Sequence, residues 1–302
     1  MSRLRTIVTL SRPARLPTVW SNCLAGWWLG GGGNAEQLPF VFGGATLLYL
    51  GGACLNDAFD ADHDREHRPT RPIPSGAVSR QTVWRWALGL LVAGAVLLMW
   101  AGRATGTAGL VLVVSIILYN TLHRWVPFSP ALKGLCRFLL YLIGASVATY
   151  GITGWALWCG LALWCYVAGI GCFARWVETP AKTQSWPAAL LAVPVLLAII
   201  MDADGFRVPG LLLAALLVLW CLRALRQTFL NAKPDLQKTI AGLVAGIVFV
   251  DWLAACPVPT LEGQPNPAAR ELSFVFIGLL LATFLLQRTT TGGQEPGMLA
   301  PP

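Results

Sequence analysis

The chain has 302 residues, of which 56% are apolar and 12% charged, whereas a soluble globular domain carries about 25% charged residues. That balance argues against a soluble single-core protein, and the apolar residues gather into runs near the ~20-residue length that crosses a bilayer core. The formal net charge of +8 is accounted for by membrane topology and attraction to anionic lipid, with no nucleic-acid partner required.

Ten apolar runs succeed one another, near residues 15–32, 38–58, 83–101, 106–122, 135–151, 154–174, 187–202, 208–226, 239–256 and 272–287. The expected fold class is all-α, a polytopic transmembrane helical bundle of nine to ten spans. The ninth run is the weakest, because it contains Asp251 and ends against Pro257 and Pro259. The first run does not read as a cleavable leader: Pro17 and Asn22 interrupt it and it ends in glycines 30–33 without a small-residue cleavage pattern.

If the spans alternate from an inside N-terminus, Arg103, Arg207 and Arg270 fall outside and the other 19 of the 22 basic residues fall on the cytoplasmic side. The expected localisation is therefore an integral multi-pass membrane protein, in the cell membrane if bacterial, with a cytoplasmic N-terminus. Residues 1–288 read as one transmembrane domain, and 289–302 as a polar, disordered tail. The eight cysteines form no CxxC pair and lie in or beside apolar runs. There they act as small hydrophobes, and neither a disulfide framework nor a zinc site is indicated.

At the end of the second run five of the fourteen acidic residues fall within ten positions, in Leu55-Asn-Asp-Ala-Phe-Asp-Ala-Asp-His-Asp-Arg-Glu66. A helix continuing through them places Asn56, Asp60 and Asp64 on one face, with Asp57 on its flank. Stacked carboxylates repel one another unless a divalent cation bridges them, and Mg2+ is usually held by one or two carboxylates plus substrate phosphates. Arg68 and Arg71 follow at once, within Arg71-Pro-Ile-Pro-Ser-Gly76. Guanidinium binds phosphate bidentately, so acid, metal and arginine together describe a diphosphate site. A solvated charged loop is the bland alternative, but the face begins while the apolar run is still in progress, where ionisable groups are costly unless they serve a site.

Asn56-Asp57-x-x-Asp60-x-x-x-Asp64 followed by Arg71-Pro72-Ile73-Pro74-Ser75-Gly76 resembles the first signature of the UbiA superfamily of intramembrane aromatic prenyltransferases. Tyr119-x-x-x-His123 looks like the family's Tyr-x-x-x-Lys between spans four and five, and Lys133-Gly134-x-x-Arg137 resembles the loop leading into span five. The resemblance covers residues 10 to about 255. A narrower likeness, to the EboC-type branch, rests on Ala174-Arg175-x-x-Glu178 and Gly134-Leu-Cys-Arg137.

The resemblance implies Mg2+-dependent transfer of an isoprenoid chain from a polyprenyl diphosphate to an aromatic or polar small-molecule acceptor. It implies metal ligation by Asn56, Asp57, Asp60, Asp64 and Glu178, and diphosphate binding by Asn56, Arg68, Arg71, Lys133, Arg137 and Arg175. Asp60, Asp64, Arg71, Tyr119 and His123 are implied at the reacting centre. The chain departs from the family pattern at His123, which replaces the Lys, and at the end of the sixth span, where Arg175 and Glu178 stand in place of a second aspartate motif. A tenth span exceeds the family's usual nine.

Blander readings fit several other residues. Asp251 is expected to make a polar helix contact near the outer face, His63 and His67 to be loop residues, and Asp202 and Asp204 to be solvated. Among rival functions, a transporter lacks the expected inverted repeats, and a phosphatidyltransferase lacks its Asp-Gly-x-x-Ala-Arg opening. A non-catalytic isoprenoid-diphosphate-binding membrane partner is the stronger rival, because one metal motif is eroded.

Overall fold

The computed structural model describes residues 3–33, 35–178, 186–201, 207–231, 234–256 and 267–291. Regular structure among them is helical: α1 (Arg3–Ser11), α2 (Leu16–Leu29), α3 (Leu38–Phe59), α4 (Ala61–His67), α5 (Arg80–Ala101), α6 (Arg103–Leu122), α7 (Ser129–Ser146), α8 (Gly154–Glu178), α9 (Val193–Met201), α10 (Arg207–Phe229), α11 (Leu236–Ala255) and α12 (Pro267–Thr291). Proline occupies the first turn of α2, α3 and α7, where its missing N–H forfeits no bond. The Ser79 hydroxyl caps α5 by accepting from the Thr82 amide at 3.1 Å, and the Asp235 carboxylate caps α11 through the Lys238 amide at 2.9 Å.

Each of the ten predicted runs meets a helix, and seven described helices (α3, α5, α6, α8, α10, α11 and α12) are long and apolar enough by themselves to cross a membrane. The fifth run is displaced from its expected place. Its helix starts at Ser129 and leaves helical structure at Val147, because Pro130 opens it and the polar Lys133 and Arg137, discounted by hydropathy, are carried on it. The ninth run, weakest in the sequence, forms the 20-residue α11, with most of its length buried. Its one acid is satisfied by neighbouring helices. At the other end of the expectation, α12 runs to Thr291, so helix continues three residues into the expected tail; 292–302 lie outside the described residues.

Two cores meet along α2 and α7. One gathers side chains of α2, α7, α8, α10, α11 and α12 around Tyr141, Tyr166 and Phe276, and the other gathers α1, α2, α3, α5, α6 and α7 around Leu48, Leu98 and Ile143. The α2–α7 approach is set by small residues. A Cβ on Gly26 would strike the Tyr141 carbonyl, and one on Gly144 the Cys23 carbonyl, the close contact that glycine permits between membrane helices. Val92, Trp100, Leu212, Leu219 and Ile200 are exposed apolar side chains on the outer surface, as lipid requires of an integral membrane protein.

Candidate functional site

The acidic strip is built where α3 passes into α4. Asp60 is the joint, and its backbone stays close to helical, with the Asp60 amide bonded to the Asn56 carbonyl at 2.9 Å and the Asp64 amide to the Asp60 carbonyl at 2.8 Å. The expected i, i+4, i+8 face therefore survives the break. Asp57 and Asp64 are only 6% and 2% exposed, whereas Asp62 faces outward and pairs with Arg65 and Arg80. Buried carboxylates need partners, and these have them. Asp64 pairs with Arg71 at 2.6 Å, and Asp57 pairs with Arg12 and, at 3.5 Å, with Arg71. Asp57, expected on the flank, is thus at the centre of the network.

Arg12, one of the basic residues counted on the cytoplasmic side, bonds the strip directly, and Arg15 lies within electrostatic reach of Arg12. Arg12 donates to the Asn56 side-chain oxygen at 3.0 Å as well as to Asp57. It is the one non-glycine residue with positive φ (45°) among the described residues, and the Tyr49 hydroxyl holds its carbonyl at 3.0 Å. Such strain persists where surrounding contacts over-determine it, as at binding sites. Local sequence carries no sign of this pairing, since 45 positions separate Arg12 from Asp57.

Lys133 and Arg137 are carried on α7. Arg15, Arg12, Lys133 and Arg137 are within electrostatic reach of one another. Neither Arg15 nor Lys133 makes a side-chain hydrogen bond or ion pair among the described residues, and Arg137 makes one bond, to the Asn22 side-chain oxygen at 2.8 Å. Clustered, desolvated cations repel until an anion enters. Such an arrangement could accept a multiply charged anion.

Asn56 and Asp60 are the donors best placed for a hard cation. The Asn56 amide nitrogen lies 3.2 Å from Asp60 Oδ2, while the buried Asp60 Oδ1 lacks a hydrogen bond. His123 Nε2 and Arg124 stand 3.1 and 2.8 Å from that oxygen, close enough for charge attraction but off a hydrogen-bonding line. Burial pushes the Asp60 carboxyl up, yet His123 and Arg124 outweigh it and hold it below its ordinary value. The Asn56 oxygen itself accepts from Arg12, so the ionised Asp60 carboxylate is the free oxygen group here that suits Mg2+ completed by phosphate, with the Asn56 oxygen available once Arg12 turns to an anion. No described cluster of three or more acidic, histidine or cysteine side chains supplies a complete metal cage.

Other predicted residues fall into distinct places. The Tyr119 ring stacks on His123 at 5.5 Å, beside the strip. Arg68 is exposed and makes no side-chain bond among the described residues. Arg175 donates to the carbonyls of His123, Val126 and Pro127 and to the Ser129 hydroxyl, which makes it a clasp on the 123–129 loop. Glu178 is the last residue of α8, and its side chain lies outside the described residues, as do Asp202 and Asp204. His63 and His67, expected in a loop, lie exposed on α4 with their rings stacked at 4.1 Å, because helix resumes at Ala61 and runs to His67.

The model of the UbiA prenyltransferase family matches residues 16–240 of this chain. The chain belongs to the UbiA prenyltransferase family. A digeranylgeranylglyceryl phosphate synthase of Methanoregula boonei is 27% identical over 146 residues, covering 48% of this chain and 52% of the relative. The chain thus spans about half the length of the curated relatives it matches. The apo structure of a UbiA homolog from Aeropyrum pernix K1 superposes with a TM-score of 0.60 at 17% identity, covering 83% of this chain and 96% of that one. The Archaeoglobus fulgidus UbiA homolog bound to DMAPP and Mg2+ superposes with a TM-score of 0.54 at 14% identity, covering 93% and 98%.

Within the UbiA fold the two departures of this chain are adjacent in space. His123, which stands where the sequence resemblance implies a Lys, pairs with Asp60, and its own carbonyl is held by Arg175 from α8. The end of α8 therefore braces the first acidic strip through the 123–129 loop.

Proposed function

We propose that the protein transfers an isoprenoid chain from a polyprenyl diphosphate to a small-molecule acceptor at the cytoplasmic rim of the bundle. The observation that carries this reading is the set of under-paired cations, Arg15, Lys133 and Arg137, clustered around Arg12, which itself holds Asn56 and Asp57 of the buried acidic strip. Asn56 and Asp60 are the residues to hold Mg2+, which supplies Lewis-acid neutralisation of diphosphate charge. Arg71, Arg12, Arg15, Lys133 and Arg137 bind the diphosphate and stabilise the charge it gains as the allylic C–O bond breaks and its electron pair departs with the leaving group. The apolar helices receive the isoprenoid tail. The acceptor's nucleophilic atom then bonds to the allylic carbon and loses its proton, so no protein nucleophile is needed.

The cations exceed the buried carboxylates beside them, which favours an acceptor that is itself anionic. The relatives named digeranylgeranylglyceryl phosphate synthase, after a phosphate-bearing product, are consistent with that class. One observation favours the non-catalytic alternative: Asp57 and Asp64 are already neutralised by guanidinium groups. Membranes carrying the protein are to be incubated with labelled geranylgeranyl or farnesyl diphosphate, Mg2+ and a small-molecule extract, and the lipid product identified by mass. A Mg2+-dependent labelled product is the expected result. Tight diphosphate binding without any product replaces the enzyme with the binding partner.

A further inference from the structure

Asp251 is fully buried on α11, and its carboxylate is completely used. Oδ1 accepts from the Tyr141 hydroxyl of α7 at 2.7 Å, and Oδ2 accepts from the Asn22 amide of α2 at 2.7 Å and from the Ser21 hydroxyl. Asn22 then offers its oxygen to Arg137 at 2.8 Å. A carboxylate can only accept, so Asn22 must turn its NH2 toward Asp251 and therefore its oxygen toward Arg137. The reverse orientation sets oxygen against carboxylate and NH2 against guanidinium. Asp251 thus dictates the polarity of the amide that anchors Arg137. That amide is the one anchor Arg137 has among the described residues, and it leaves the other guanidinium N–H groups for an anion.

We propose that Asp251 is a positioning residue for substrate binding: through Asn22 it fixes the direction in which Arg137 presents its guanidinium to the diphosphate. The inference rests on the proposed function for the identity of the anion. A purely structural role, tying α11 to α2 and α7, is the competing account.

The two are separated by the affinity of the full-length protein, in lipid nanodiscs, for the non-transferable analogue geranylgeranyl thiodiphosphate, with thermal stability and turnover of the labelled diphosphate followed in parallel. Asp251→Asn is expected to weaken analogue binding by about 10-fold, the size of loss typical of a misdirected charged hydrogen bond. In an Arg137→Ala background the same change is expected to have less than about a 2-fold effect, because the two residues act as one unit. Tyr166→Phe, which removes a different tie to α11 at the Leu243 carbonyl, is expected to lower stability while leaving affinity unaltered. If Asp251→Asn does not accumulate, Asn22→Ala cuts the same link and is expected to give the same loss.

Equal affinity in wild type and variant overturns the proposal. So does a loss of the same size with and without Arg137. Analogue binding without turnover removes the catalytic reading but leaves these affinities to decide Asp251, and a wild-type protein that binds no analogue overturns both.

Discussion

Asp60 carries the most direct test of the acidic strip, because its buried oxygen is under-satisfied while its ionised form is favoured by His123 and Arg124. Asp60→Ala is expected to lower prenyl transfer by about 100-fold or more, the usual cost of removing a group that stabilises developing charge, while the protein still inserts; single-turnover assays at matched protein level measure it. The same carboxylate makes a pH prediction. Its folded pKa lies below the ordinary 3.8, so it adds stability that is present above that ordinary value and is lost as pH falls through the lower folded value. Thermal unfolding in detergent between about pH 5 and about pH 3 is expected to fall more steeply for wild type than for Asp60→Asn. Identical slopes would remove Asp60 from the acid-sensitive groups.

Among elements, the end of α8 and the α2–α7 seam make the clearest predictions. Arg175 gives its guanidinium to three carbonyls and a hydroxyl of the 123–129 loop. Arg175→Ala leaves those acceptors unpaired and is expected to destabilise the protein by about 2 kcal/mol, with Arg175→Lys restoring little because an ammonium lacks the planar fork. Thermal shift together with turnover decides it: a loss of diphosphate affinity with stability unaltered would return Arg175 to the anion site. At the seam, Gly144→Leu is expected to cost about 3 kcal/mol or to prevent accumulation, since its side chain would have to displace the Cys23 backbone. Gly89→Leu, at a position with open space around it, is the matched control. The acidic strip was readable in advance because i, i+4 spacing is local and α3 and α4 preserve it across Asp60. The clasp was not, because 46 to 52 positions separate Arg175 from the loop groups it holds.

For the whole molecule, topology follows from charge. The 65–85 segment holds five of the basic residues, and from the positive-inside bias it is expected on the cytoplasmic side. In a background without native cysteines, Ser75→Cys is expected to react with a membrane-impermeant maleimide only after cells are opened; labelling in intact cells would invert the arrangement. Ten hydrophobic segments, their order and the acidic strip at the end of the second could be read directly, because hydropathy, period and motif spacing are properties of neighbouring residues. So could the family. The partners of the strip could not. Arg12 meets Asp57 across 45 positions and Asn22 meets Asp251 across 229, and one-dimensional spacing says nothing about which helices will touch. The sequence by itself determined the class of molecule and the helical spacing of its acids, which depend on short-range pattern and solvation in lipid. Only the tertiary structure decided which cations meet those acids, Arg12 and Arg71 at Asp57 and Asp64, and how Arg137 is anchored, because the first depends on chain segments far apart in sequence and the second on the close approach of α2 and α7 allowed by Gly26 and Gly144 and on the buried carboxylate of α11 that ties them together.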